Sequence, residues 1–216
     1  MAIWFSISAR FALIAGSGIF RNGSSALFRN EKNSSWEGAY RVPCLVRFPG
    51  RIPAGSVANG IISHQDWFPT LLAVAGEPAI TEKLKKGHKI GNKTFKVHLD
   101  GYNLLPYLTG KEKESPRKLF IYFTDDGDVA ALRYDNWKML FMEQRVQGTL
   151  KIWQEPFVTM RCPYIFNLRT DPYEHAQITS NTYYDWMFRR IYLLVPAQAA
   201  VGEFLNTFKE FPPRQK

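Results

Sequence analysis

The chain reads as an α/β protein that ends in a small antiparallel sheet packed by a C-terminal helix. Three observations predict this. Five β-rich runs follow one another between Leu119 and Leu168. Asp125-Asp-Gly-Asp and Asp135-Asn supply turn chemistry between them, the pattern of an antiparallel meander. Apolar residues then recur near helical spacing from Tyr183 to Phe208. Upstream, Ser63 and Asp66 stand at capping-box spacing ahead of an apolar run.

Taken in order, Cys44–Phe48 predicts a strand that Pro49-Gly50 closes with a turn. Arg51–Asn59 is a loop with Pro53 and Gly55, and Ile61-Ile62 predicts a short strand. Pro69 fits only near a first turn, so the next helix runs from about Asp66 to Ala75 and stops at Gly76. Residues 77–99 read as a basic surface excursion ending in Phe95-Lys-Val-His-Leu. Asp100–Gly110 reads as a turn plus a short helix, and Lys111–Lys118 as a charged connector. The five strand signals are Leu119–Phe123, Val129–Tyr134, Trp137–Met142, Thr149–Trp153 and Tyr164–Leu168. The final helix carries an apolar stripe of Trp186, Ile191, Leu194, Val201, Phe204, Leu205 and Phe208, with Pro196 predicted to kink or interrupt it. It is expected to lie across one face of the sheet and bury that stripe.

At 216 residues with a 45% hydrophobic fraction, the chain can bury a core as one sizeable domain or two small ones. Its net charge of +9 comes from scattered Lys and Arg. The densest cluster, Lys83-Leu-Lys-Lys-Gly-His-Lys, is short and lacks interleaved aromatics, so it reads as a solvated basic face and predicts no nucleic-acid partner. Cys44 and Cys162 belong to no Cys-x-x-Cys pair, which excludes a zinc-ribbon pattern and leaves a disulfide between them open. Residues 1–27 stand apart: they hold no Asp or Glu, and their apolar runs are split by Arg10. Neither run approaches the roughly 20 residues needed to span a bilayer. As an export signal the segment is poor, because nothing basic precedes the first apolar run. It is read as an atypical, non-native or disordered segment. Asn-x-Ser/Thr matches at Asn22, Asn33 and Asn92 carry no weight without a secretory route.

Several blocks together resemble the sulfatases, the arylsulfatase-like branch of the alkaline-phosphatase superfamily. Lys32-x-Ser-Ser-Trp-Glu-Gly-x-x-Arg-x-Pro43 and Pro49-Gly-Arg-Ile-Pro-Ala-Gly55 come first. Asp66-Trp-Phe-Pro-Thr-Leu-Leu-x-x-x-Gly76 and Asp100-Gly-x-Asn-Leu-Leu-Pro-x-Leu-x-Gly110 follow. Ala131-Leu-Arg-Tyr-Asp-Asn-Trp-Lys138 and Ile165-Phe-Asn-Leu-Arg-Thr-Asp-Pro-Tyr-Glu174 close the set. The resemblance implies the C-terminal part of an alkaline-phosphatase-like sulfatase fold. Residues 28–118 would end its α/β domain, and 119–216 would form its antiparallel-sheet subdomain with the closing helix.

The family hydrolyses sulfate esters with a formylglycine made from a Cys/Ser-x-Pro-x-Arg motif and a divalent cation, usually calcium. Periplasmic or secreted placement is what the resemblance suggests for location. One catalytic position carries over: Lys32 matches the family lysine that contacts sulfate, a point-charge donor to its oxygens. Glu37 and Arg41 read as an ion pair bracing a loop, and His64 and Asp66 as helix-start residues. Asp125, Asp126 and Asp128 read as a solvated hairpin without a calcium-loop pattern. The chain also departs from the family. No Cys/Ser-x-Pro-x-Arg occurs, since Cys44 precedes Leu-Val-Arg and Cys162 precedes Pro-Tyr-Ile, and the first aspartate is Asp66. No metal ligands or cofactor sites are therefore expected in this chain. It is expected to be inactive alone and to meet a sulfate-ester substrate only when an N-terminal half completes it. A non-catalytic binding module, one half of a split sulfatase, and a phosphatase or phosphodiesterase of the same superfamily stay open as alternatives.

Overall fold

The computed structural model describes residues 12–15, 28–30, 33–146 and 154–212. They divide into two compact units, one made of residues through Arg47 with Leu119–Val201, the other of Phe48–Lys118 with residues from Gly202 onward.

The first unit is built on a four-stranded antiparallel sheet of β5 (Leu119–Phe123), β6 (Val129–Tyr134), β7 (Trp137–Glu143) and β8 (Val158–Asn167), neighbours in that order. This is the predicted meander. Its turns follow from the residues in them. Asp135 takes a left-handed φ of 48° between β6 and β7, a conformation that Asp tolerates. Between β5 and β6, Gly127 holds φ at 90°, and the Thr124 N–H donates to the Asp128 carbonyl at 2.9 Å. The predicted Thr149–Trp153 strand lies outside the described residues. The last strand is longer than the predicted Tyr164–Leu168. Its pairing with β7 jumps from Leu140↔Tyr164 to Met142↔Thr159, so four residues of β8 oppose one of β7. Pro163, which lacks an N–H, falls within that bulge on an edge strand, where proline is tolerated.

Three consecutive residues of β6 (Ala130–Leu132) and of β7 (Lys138–Leu140) are buried, so both sheet faces are covered. The core joins Trp36, Tyr122, Leu132, Met139, Leu140, Ile165 and Phe166 to Tyr183, Met187 and Ala197 from the C-terminal helices. Those helices are α5 (Ala176–Thr179), α6 (Tyr183–Phe188) and α7 (Leu194–Glu210). The single interrupted helix predicted over 183–208 is thus two helices joined by a 3-10 turn at Ile191–Leu193. Pro196 sits in the first turn of α7, where its missing N–H costs nothing. The stripe is buried only in part. Trp186, Leu194 and Val201 pack on the core, while Ile191 and Leu205 stay exposed. Tyr183 closes the outer edge of β8, since its hydroxyl accepts from the Ile165 N–H at 3.3 Å and donates to the Ile165 carbonyl at 2.9 Å.

Also in this unit are β1 (Ala12–Ala15), α1 (Glu37–Tyr40) and β2 (Cys44–Arg47). β2 is the predicted strand and pairs with β1 in a two-stranded antiparallel sheet. Leu45 on it is 68% exposed. Cys44 and Cys162 are free thiols.

The second unit contains α2 (Trp67–Val74), α3 (Ile80–Lys86), β3 (His88–Ile90), β4 (Lys93–Phe95) and α4 (Leu105–Leu108). The Ser63–Asp66 capping box is present ahead of α2, and Gly76 ends the helix at a φ of 101°. Within 77–99, read as a basic surface excursion, the structure adds a helix and a hairpin. Ile80 and Leu84, four residues apart, are buried and make α3 a packed helix. The structure corrects the short strand expected at Ile61-Ile62. No strand forms there, because the Ile61 carbonyl accepts from Ser115 Oγ at 2.6 Å rather than from a neighbouring strand.

Tyr183→Phe removes the group that serves both Ile165 backbone atoms. It is expected to cost about 1–3 kcal/mol, read as a lower urea midpoint with an unchanged m-value.

Candidate functional site

The Trp36-Glu-Gly block forms a loop closed at its base. The Gly38 N–H donates to the Arg29 carbonyl at 3.1 Å. A methyl group on Gly38 would collide with the carbonyl oxygens of Arg29 and Asn30, so this approach requires glycine. Both limbs of the loop are fastened to the sheet unit. On the incoming limb, Arg29 donates to the Glu174 carbonyl at 3.2 Å and to Gln177 Oε1 at 3.1 Å. It also lies 3.5 Å from Glu143 Oε1 and places its guanidinium 3.4 Å from the centre of the Trp36 ring. On the outgoing limb, Ser35 Oγ donates to the Met142 carbonyl at 3.1 Å, and buried Trp36 meets Phe166 edge-on at 5.7 Å. Lys32 belongs to the sequence between these limbs and lies outside the described residues.

Glu37 is the hub of the block. It is 1% exposed, and Lys138 and Glu174 are 0% exposed. Its Oε1 accepts from the Tyr122 hydroxyl at 2.6 Å and from Lys138 Nζ at 3.2 Å. Its Oε2 accepts from Arg41 Nε at 2.7 Å and from Arg133 Nη1 at 3.1 Å. The Glu37 N–H donates to Glu174 Oε2 at 2.7 Å. Lys138 Nζ stands 2.7 Å from Glu174 Oε1, at ion-pair distance but short of hydrogen-bond geometry. Two buried carboxylates therefore share one buried lysine, and the sharing is unequal. Burial alone would raise the Glu37 carboxyl, but Lys138, Arg133, the Tyr122 hydroxyl and Arg41 together hold it at about 2. At Glu174 burial outweighs Lys138, and the charge on Glu37 adds to it, so this carboxyl is raised.

The expected Glu37–Arg41 pair exists, but it is the outermost of the contacts. Sequence reasoning missed Lys138, Arg133 and Glu174. Their one signal was charge in apolar surroundings, a lysine inside Trp137-Lys-Met-Leu and a glutamate ending Asp171-Pro-Tyr-Glu.

The second unit has its own buried pair. Asp66 accepts from the N–H groups of Ser63 (2.7 Å) and Tyr102 (2.8 Å), and from Arg117 Nε (2.8 Å) and Nη2 (2.5 Å). Arg117 also donates to the Asp100 carbonyl at 2.8 Å. Asp66 is thus the helix-start residue expected, and it is also the counter-ion of a distant arginine. His64 is exposed on the turn before α2, and Asp125, Asp126 and Asp128 are exposed on the β5–β6 turn. Among the described residues no three His, Cys, Asp or Glu side chains gather to hold a metal ion.

Residues 16–77 match the sulfatase family, and residues 115–213 match the family described as the C-terminal region of aryl-sulfatase. Arylsulfatase A of Homo sapiens is 35% identical over 127 residues, 57% of this chain and 22% of that protein. Steryl-sulfatase of Mus musculus is 31% identical over 123 residues, 55% of this chain and 17% of that protein. The crystal structure of the PsFucS1 sulfatase from Pseudoalteromonas sp. superposes with a TM-score of 0.60 at 26% identity, over 86% of this chain and 33% of that one. The chain belongs to the sulfatase family. It spans between 17% and 33% of the length of these relatives. Among the described residues no helix is long and apolar enough to cross a membrane.

Lys138→Met leaves Glu37 and Glu174 buried without their shared cation. It is expected to destabilise by about 3–5 kcal/mol in urea unfolding. The two carboxylates also predict opposite pH dependences. The contribution of Glu37, whose pKa is depressed, is complete above the unfolded carboxylate range and is lost as pH falls toward about 2. That of Glu174, whose pKa is raised, is complete below that range and declines as pH rises through the raised value. Urea midpoints measured against pH should lose their acid limb in Glu37→Gln and their decline toward neutrality in Glu174→Gln.

Proposed function

We propose that this chain supplies the C-terminal portion of a sulfate-ester hydrolase and places Lys32 on the sulfate. The observation that carries the reading is the closed loop from Arg29 to Gly38. Its incoming limb is held by Arg29 on the Glu174 carbonyl, and its outgoing limb by buried Glu37 on buried Lys138. Described residues on both sides of Lys32 are fastened to the sheet unit, and a donor fixed beforehand needs no reorganisation when charge develops on an oxyanion. The ammonium of Lys32 would donate to a sulfate oxygen. Glu37, Lys138 and Glu174 would act through the loop, as positioning residues. The nucleophile and the calcium ligands are then supplied from outside this sequence, which contains no Cys/Ser-x-Pro-x-Arg. The chain alone is inactive on this reading.

The test mixes the chain with a separately expressed sulfatase polypeptide that carries converted formylglycine and the aspartate ligands, and follows 4-nitrophenyl sulfate. The chain alone should give no turnover, and the mixture should give it. Lys32→Ala should lower kcat of the mixture by about 10²–10³, the usual loss for one oxyanion donor. Hydrolysis by the chain alone, or an unaffected Lys32→Ala mixture, would overturn the assignment. A mixture that cleaves 4-nitrophenyl phosphate in preference would point to a phosphatase instead.

A further inference from the structure

The segment 83–99 holds six lysines, two histidines and no Asp or Glu. The fold turns this composition into a displayed surface. Buried Ile80 and Leu84 fix α3, and Gly87, at a φ of 98°, turns the chain directly into the β3–β4 hairpin. The Val97 N–H donates to the Leu84 carbonyl at 3.1 Å and pins the returning strand to the same helix. Every residue from Lys89 to Lys96 is exposed. The register sets His88 opposite Phe95 and Ile90 opposite Lys93, so these four share one face, while Lys89 and Thr94 share the other. Lys83, Lys85 and Lys96 have partners in Glu77, Glu82 and Glu210. These pairs are solvent-exposed, worth little and readily exchanged. Lys86, Lys89 and Lys93 have no carboxylate within ion-pair distance among the described residues.

We propose that this lysine-rich helix and hairpin bind the sulfate groups of a polysaccharide chain. The choice of polyanion rests on the sulfate-ester reading above. Ammonium groups on long flexible stems suit anions spaced irregularly along a polymer, whereas a planar bidentate site would call for arginine. The segment contains no arginine. Ile90 and Phe95 offer a small apolar platform for the faces of sugar rings. Single-stranded nucleic acid would want several stacking aromatics along a basic groove, and Phe95 is the one aromatic residue from 83 to 99.

The probe is heparin, titrated into the chain over a range of salt concentrations, with uncharged dextran and single-stranded DNA of equal charge as comparisons. The variant is Lys86→Gln/Lys89→Gln/Lys93→Gln. Its charge-matched control, Arg51→Gln/Arg169→Gln/Arg189→Gln, removes exposed arginines elsewhere. Both should melt with the unmodified chain, which shows that they are folded. Heparin should bind in a salt-sensitive manner, with dextran inert and DNA weaker. The lysine variant should lose at least about ten-fold in affinity and about two to three in the slope of log K against log salt, as expected for three lost contacts. The arginine control should bind as the unmodified chain does. Equal loss in both variants, no loss in the lysine variant, or DNA bound as tightly as heparin would each overturn the proposal. The titration needs no turnover, so it separates the two readings. Heparin binding with no sulfatase activity in the reconstituted mixture would leave this surface standing and remove the enzymatic one.

Discussion

Taking the Glu37 carboxylate out of water costs several kcal/mol, and the cost is tolerable only where opposite charge and donors surround it. Lys138, Arg133, Arg41 and Tyr122 come from three separate stretches of chain and converge on its two oxygens. The consequences spread outward. Because Glu37 is held, its N–H can hold Glu174. Because Glu174 is held, its carbonyl can accept from Arg29. With Arg29 held on one side and Gly38 on the other, the loop between them has a defined base. A single desolvated carboxylate thus couples a strand lysine, a post-strand glutamate and an N-terminal arginine.

The second unit repeats the device with different parts. Asp66 begins as a helix-start residue, a role that its spacing from Ser63 reveals. It becomes a buried anion because Arg117 forks onto it. Gly101 allows the approach, since a side chain there would strike the Gln65 carbonyl. In both units, a short motif that looks like turn chemistry turns out to be the anionic half of a long-range ion pair.

That pattern explains what the sequence disclosed and what it withheld. The meander was legible because alternation and Asp/Gly turns are local. The helix at Trp67 was legible because its cap lies three residues from its partner. The α3 helix was not, because two apolar residues in a run of lysines give too little periodicity to outweigh composition. Ile61-Ile62 looked like a strand on propensity, yet a serine hydroxyl met its carbonyl first. For the site, the resemblance pointed to the Lys32–Pro43 block, and Glu37 with Arg41 could be guessed from their i,i+4 spacing. Lys138 and Glu174 could not be paired with Glu37 from spacing, since 101 residues separate the first from it and 137 the second.

Those separations bear on how the molecule is made. At about 5–20 residues per second, synthesis needs roughly 7–27 s to carry the chain from Glu37 to Glu174. Through that interval Glu37 has no buried lysine to meet, and the limbs of its loop have no sheet to rest on. Glu37 and its neighbours must therefore wait, solvated, while Phe48–Lys118, the larger part of the other unit, emerges. Closing so long a loop also costs chain entropy before any contact rewards it. The ionic hub thus belongs among the last features of the fold to form, and a nascent chain interrupted before Glu174 would never assemble it.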